Sequence, residues 1–214
     1  MDVVVSGLKN KTMLKNLFKK KNIISQEEQL AQWEKNGRPL PPPHIVKQMA
    51  IESYRQRFHT EILVETGTYL GDMVEAQRDH FKKIFSIELS ERLFNKAQKR
   101  FKDHLHVKIF HGDSGSVLNK LMTEIGKPAL FWLDGHYSGG ITAKGEKECP
   151  VPEELDTILK SPLPHIILID DARLFNGTHD YPAIERIEEI IKVNNRQYSL
   201  EIKDDIIRLT PSNI

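Results

Sequence analysis

The stretch Ile62-Leu63-Val64-Glu65-Thr66-Gly67-Thr68-Tyr69-Leu70-Gly71 decides how the chain is read. Three apolar residues suited to a buried strand run directly into a turn with glycine near both ends, and a helix-like segment follows. Glycine lets backbone approach a ligand closely, and the N–H groups that open a helix can receive a ligand's polar or anionic parts. A strand, a glycine turn and a helix N-terminus in this order form a nucleotide cradle.

Outward from the cradle, strand-like and helix-like segments alternate. Strands are predicted at 62–65, 84–88, 107–110, 129–134 and 166–170, and helices at 72–79, 90–101, 114–125, 152–159 and 182–194. Such alternation predicts a parallel sheet with helices on both faces. Two further strands, 198–202 and 206–209, flank the turn residues Lys203-Asp204-Asp205 and read as a β-hairpin. The predicted fold is therefore α/β and Rossmann-like: a doubly wound, mostly parallel seven-stranded sheet closed by a C-terminal antiparallel hairpin.

Upstream, Ser25 and Glu28 have the spacing of a capping box, opening a helix that Gly37-Arg38-Pro39-Leu40-Pro41-Pro42-Pro43 must end. Between His44 and Phe58, Ile45, Val46, Met49, Ala50 and Tyr54 recur at helical spacing, as in a helix packed on the sheet. The predicted organisation is a helical N-terminal extension with a proline-rich connector over 1–43 and a catalytic-sized domain over 44–214.

The 31 lysines and arginines nearly balance the 30 aspartates and glutamates, so no global field draws the chain to nucleic acid or an anionic membrane. A lysine-rich patch (Lys9, Lys11, Lys15, Lys19, Lys20 and Lys21, with Leu14, Leu17 and Phe18 between them) reads as a solvated arm, with a weak surface-binding helix as the alternative. The single cysteine, Cys149, excludes an internal disulfide, and no apolar stretch has the length of a membrane span or secretory h-region. A cytoplasmic protein is expected, and its oligomeric state, homo-oligomer included, stays open.

Glu88 ends the second predicted strand about 20 residues after Gly67, where a carboxylate can accept both hydroxyl protons of a ribose. That points to an adenosine-containing ligand. The dinucleotide fingerprint G-x-G-x-x-G is missing, because the turn is E-x-G-x-x-x-G with Thr68 and Tyr69 in its middle.

Glu65-x-Gly67-x-Tyr69-x-Gly71, Glu88 after strand two, Asp113 after strand three and the closing hairpin together resemble class I S-adenosylmethionine-dependent methyltransferases. Within that superfamily the turn tyrosine is similar to metal-dependent O-methyltransferases of the catechol type. The resemblance covers roughly residues 45 to 210. It implies that S-adenosylmethionine has its methionine half along Gly67, Thr68 and Tyr69, is held at the ribose by Glu88 and flanked at the adenine by Asp113 and Ser114, with Glu65, Thr66, Gly71, Asp72, Leu89 and Asp134 completing the cofactor-binding set. Asp113-Ser114 also reads as a helix N-cap. Asp72 stands where a small hydroxyl residue is expected in the catechol type, and its charge would repel the cofactor carboxylate.

Two more strand ends carry acids, Asp134 after strand four and the pair Asp170-Asp171 after strand five. If those strands are neighbours, the three carboxylates converge near the methyl donor. A hard divalent cation, magnesium or manganese, would neutralise their repulsion and leave positions for substrate hydroxyls. The resemblance implies the same ligand set. Transfer to a hydroxyl also needs a base, for which His136 is the leading candidate and Asp134 the alternative. Arg173 is read two ways, as a partner of the aspartates or of an anionic substrate.

The glycine-rich run from Gly135 to Gly145 reads as a substrate loop, and its hydrogen-bonding side chains with Tyr137 tilt the acceptor toward a sugar or glycan hydroxyl rather than a small phenol. Asp134-Gly135-His136-Tyr137-Ser138-Gly139-Gly140 and Asp170-Asp171-Ala172-Arg173 also resemble segments of methyltransferases in glycan biosynthesis, and the metal logic is similar to that of macrolide-sugar O-methyltransferases. A nucleic-acid or protein methyltransferase is the competing class. The chain lacks the Asn/Asp-Pro-Pro-aromatic motif and the Pro-Cys nucleophile that class would need. A non-catalytic cofactor-binding module is the third.

Overall fold

A computed structural model describes residues 24–135 and 149–212. The chain divides into two compact units, residues 1–38 and 39–214. In the first, helix α1 (Gln26–Lys35) begins with the expected capping box: the Glu28 N–H donates to Ser25 Oγ at 3.1 Å and the Ser25 N–H donates to Glu28 Oε2 at 2.9 Å. The helix ends at Asn36, and Gly37 follows in the left-handed region. The lysine-rich patch lies outside the described residues.

The second unit is built on a seven-stranded sheet ordered β3-β2-β1-β4-β5-β7-β6. Its strands are β1 (Ile62–Thr66), β2 (Lys83–Glu88), β3 (Val107–His111), β4 (Leu130–Leu133), β5 (Ile166–Ile169), β6 (Tyr198–Lys203) and β7 (Ile206–Pro211). The first five are mutually parallel, and β7 enters antiparallel between β5 and β6. The fold is thus the Rossmann-like one expected, hairpin included. Residues of β1, β4 and β5 are buried on both faces because helices cover both sides, which is why these strands read as continuous apolar runs. The edge strand β6 is mostly exposed.

One face carries α2 (His44–Phe58), α3 (Asp72–Gln77) and α4 (Glu91–Arg100), packed on Leu63, Ile84, Leu130, Trp132, Ile166 and Leu168. The other carries α5 (Ser114–Leu121), α6 (Val151–Leu159) and α7 (Ile184–Val193), packed on Val64, Phe85, Phe131, Leu133, Ile167 and Ile169. No helix among the described residues is long and apolar enough to cross a membrane.

Ser90 and Asp113 cap α4 and α5, their side chains accepting from the N–H groups of Leu93 and Ser116. The expected helix 114–125 divides instead into α5 and a 3-10 turn, Met122–Glu124, a common tightening of a helix end. The apolar stripe of α2 is also offset from the predicted one. Val46, Ala50, Ile51 and Tyr54 are buried, whereas Met49 is 50% exposed.

The hairpin turns on Asp204 and Asp205, both at positive φ, between the paired residues Lys203 and Ile206. Two central residues at positive φ match the twist of the strands they join.

Candidate active site

Side chains two residues apart on a strand share a face. Glu65 follows Leu63, Glu88 follows Ile84 and Ser86, Asp134 follows Leu130 and Trp132, and Asp170 follows Ile166 and Leu168. These four carboxylates therefore stand at the C-terminal ends of β1, β2, β4 and β5, on the side that α2 covers. The ladder extends past the strands to fix this edge, since the Asp134 N–H donates to Thr66 O at 3.1 Å and the Asp170 N–H to Leu133 O at 3.0 Å.

Gly67 locks the loops after β1 and β4 together. It sits at φ +85°, and a Cβ built there would lie 2.3 Å from the Asp134 carbonyl oxygen. Gly71, at φ +80°, is tight for a different reason: its Cβ would meet Phe101 Cε2 at 2.7 Å. Tyr69 also has positive φ and leaves its ring 44% exposed.

The N–H groups of this turn do not form the open cradle the sequence suggested. Those of Gly67 and Thr68 donate to Ile87 O at 2.9 and 3.2 Å, Tyr69 N–H donates to Glu88 Oε2 at 2.7 Å, and Gly71 N–H donates to Thr68 O at 2.8 Å. The first three anchor the turn to β2, and the Glu88 carboxylate stands beside it. Glu88 Oε1 accepts from Ser90 N–H at 2.8 Å. A carboxylate has about four acceptor positions, so two remain for a vicinal diol such as that of a ribose.

Beneath the turn, Thr68 Oγ1 lies 2.5 Å from Ser86 Oγ, which donates to Glu65 Oε2. Burial pushes the Glu65 carboxyl up to about 8; the Ser86 hydrogen bond opposes this, and the nearby charges of Asp134 and Glu88 reinforce it. At neutral pH this favours the protonated form of Glu65.

Asp72 turns outward. Arg100 Nη1 donates both to Asp72 Oδ1 and to Leu70 O at 2.7 Å, so its charge is answered by a guanidinium. Asp113 caps α5 at its exposed end, Ser114 is buried beside it, and Leu89 follows Glu88 half-buried. His136 and the remainder of the glycine-rich loop lie outside the described residues.

Asp134 and Asp170 follow the ends of the adjacent strands β4 and β5, with Asp171 next in the chain, and a residue absent from the predicted site stands beside the pair Asp170-Asp171. Lys47 Nζ donates to Asp170 Oδ2 and lies 3.6 Å from Asp171 Oδ1. Burial works against the Lys47 charge, yet Asp170, Asp134 and Asp171 outweigh it and hold its pKa above the ordinary lysine value. Asp171 also takes a second cation, Arg173 Nη1 at 2.7 Å, and the same guanidinium pairs with Asp205.

Among the described residues no group of three histidine, cysteine, aspartate or glutamate side chains is arranged to hold a metal ion. The divalent metal expected here finds no support in that arrangement. The Lys47 ammonium engages Asp170 Oδ2, and the Arg173 guanidinium engages Asp171.

Lys47 had a signal in the sequence. It lies at i−3, i−4 and i−7 from Ala50, Ile51 and Tyr54, so a lysine falls on the buried stripe of α2 at its N-terminal end. Cys149 contributes no reactive thiol, since it is buried and its pKa is pushed up to about 12.

No protein-family model matches the chain, and no curated protein sequence matches it. Solved structures do share its fold. The S-adenosylhomocysteine-bound methyltransferase PaMTH1 of Podospora anserina aligns over 100% of both chains at 16% identity and a TM-score of 0.55. The O-methyltransferase TomG of Streptomyces achromogenes, solved with S-adenosylmethionine, covers 89% of this chain and 92% of its own at 13% identity and TM-score 0.58. An O-methyltransferase from Bacillus cereus in complex with S-adenosylhomocysteine covers 93% and 96% at 14% identity and TM-score 0.55. The chain has the class I methyltransferase fold.

Proposed function

We propose that the protein is an S-adenosylmethionine-dependent O-methyltransferase whose acceptor is a hydroxyl of a sugar or glycan, with a small phenol as the nearest alternative. The observation that carries this reading is the row formed by Glu88, Gly67 and Asp134 on adjacent strand ends of a class I methyltransferase sheet. Glu88 retains acceptor capacity for a ribose diol, Gly67 brings the β1 and β4 loops into contact, and Asp134 stands just beyond it toward the acceptor side.

In the proposed reaction an acceptor oxygen attacks the methyl carbon of the sulfonium in line with the departing sulfur. The carbon–sulfur bond breaks, its electron pair stays on sulfur as a neutral thioether, and the acceptor proton passes to a base at the end of β4. Asp134 is the base within the described residues, with His136 two positions on. Positioning supplies much of the acceleration in such a displacement. The β4 loop, rich in glycine and hydrogen-bonding side chains, supports a polyhydroxy acceptor.

Incubation of the full chain with S-adenosylmethionine and a panel of glycosides and phenols, read by mass spectrometry, tests the proposal. A mass increase of one methyl group on a glycoside supports it. Transfer to phenols alone would move the acceptor to the alternative.

A further inference from the structure

The acidic end of β4 and β5 contains its own cation. Asp170 is 1% exposed, its Oδ2 accepts from Lys47, and its Oδ1 is buried without a hydrogen-bond partner among the described residues. The Lys47 side chain is only 15% exposed and comes from α2, a helix packed on the sheet rather than from a loop, so its ammonium is delivered to this point by the core. Asp171 lies 3.6 Å from the same ammonium and 2.7 Å from Arg173.

We propose that Lys47 is the resident cation of the acceptor end of the site, standing where a divalent metal would otherwise neutralise Asp134, Asp170 and Asp171, so that the site works without one. A magnesium or manganese ion needs carboxylate oxygens at close range, and an ammonium on the same carboxylate repels it. Lys47 and such an ion therefore compete for Asp170. Lys47 is a positioning residue: it fixes Asp170 and offsets the repulsion among the three carboxylates, which Arg173 offsets from the other side. The catalytic meaning of this arrangement rests on the methyltransferase reading, but the exclusion of metal by Lys47 can be measured without knowing the acceptor.

The test is manganese binding to the full chain, followed by electron paramagnetic resonance, with calorimetry of S-adenosylhomocysteine on the same samples. Wild type is expected to bind no manganese at this site, and Lys47→Met to gain a site at least tenfold tighter than any in wild type. That gain should vanish in Lys47→Met combined with Asp170→Asn and be absent from Lys47→Arg, which keeps the charge. Lys47→Gln supplies a second neutral variant if Lys47→Met does not fold by circular dichroism.

Tight manganese binding by wild type that is lost in Asp170→Asn would overturn the proposal, as would a folded neutral variant with no gain. Failure of wild type to bind S-adenosylhomocysteine would instead reject the methyltransferase reading, leaving the manganese comparison to decide the role of Lys47.

Discussion

The main-chain N–H of Tyr69 donates to Glu88 Oε2 at 2.7 Å, tying the glycine turn after β1 to the carboxylate that ends β2. One side chain thus shapes the turn and faces the proposed ribose position. Glu88→Ala should remove both effects, lowering affinity for S-adenosylhomocysteine at least tenfold and costing about 1.5–3 kcal/mol of stability from hydrogen bonds to a charged group. Calorimetry and urea denaturation read the two losses separately. An unchanged affinity in the folded variant would remove the ribose role.

Gly67→Ala should be far more damaging than a typical surface substitution. The new Cβ would lie 2.3 Å from a main-chain oxygen at a φ of +85°, so the β1 and β4 loops must separate. A destabilisation of about 2 kcal/mol or more is expected. Gly126→Ala, with nothing within 4 Å of its Cβ, is the matched control and should stay within about 0.5 kcal/mol of wild type.

Glu65 predicts a pH dependence with a definite sign. Its folded pKa is raised from 4.5 to about 8, so the folded state holds more protons than the unfolded between those values. Its contribution is fully present below pH 4.5 and is lost as pH rises through 8. Relative to Glu65→Gln, wild type should lose roughly 3–5 kcal/mol across that window. Parallel urea titrations of the two proteins at pH 5 and pH 8.5 would show the difference, and equal slopes would contradict it.

His165 acts in the opposite direction. It is buried, accepts from Ala129 N–H at Nδ1 and lies 2.9 Å from Ser161 Oγ through Nε2; burial first and the Arg196 charge second lower its pKa from 6.5 to about 4. The unfolded state then binds the extra proton between pH 6.5 and 4. Stability from this residue is complete above pH 6.5 and declines by up to about 3 kcal/mol as pH falls to 4. A His165→Gln variant should lack that acid slope.

Arg173 should matter more to stability than an exposed arginine. Its guanidinium pairs with Asp205, whose side chain is 0% exposed, and its N–H donates to Asp205 Oδ1 at 2.8 Å. Arg173→Met would strand a buried carboxylate in the β6–β7 turn, at a cost of about 3 kcal/mol. Arg186→Met, which breaks a pair that is 60% and 59% exposed, should cost under about 1 kcal/mol by the same denaturation measurement.

The parts of the molecule that follow from local rules were legible in the sequence. Apolar runs such as Ile62-Leu63-Val64 marked buried strands, Ser25 with Glu28 marked a cap, and Asp204-Asp205 marked a turn, because each depends on neighbours in the chain. Long-range pairing was less visible. The charge of Asp72 is answered by Arg100 from the next helix, a partner 28 residues away that the turn sequence does not reveal. Arg173 had two readings until the hairpin brought Asp205 to it. Lys47, a cation on the apolar stripe of α2, takes its meaning only when the sheet places Asp170 opposite it.

In the proposed function, the edge formed by Glu88, Gly67 and Asp134 receives the methyl donor. Calorimetric titration of the full chain with S-adenosylhomocysteine tests it most directly. One-to-one binding is expected, with a Kd on the order of micromolar, unaffected by a chelator and weakened at least tenfold in folded Glu88→Ala. No binding at millimolar ligand would contradict it.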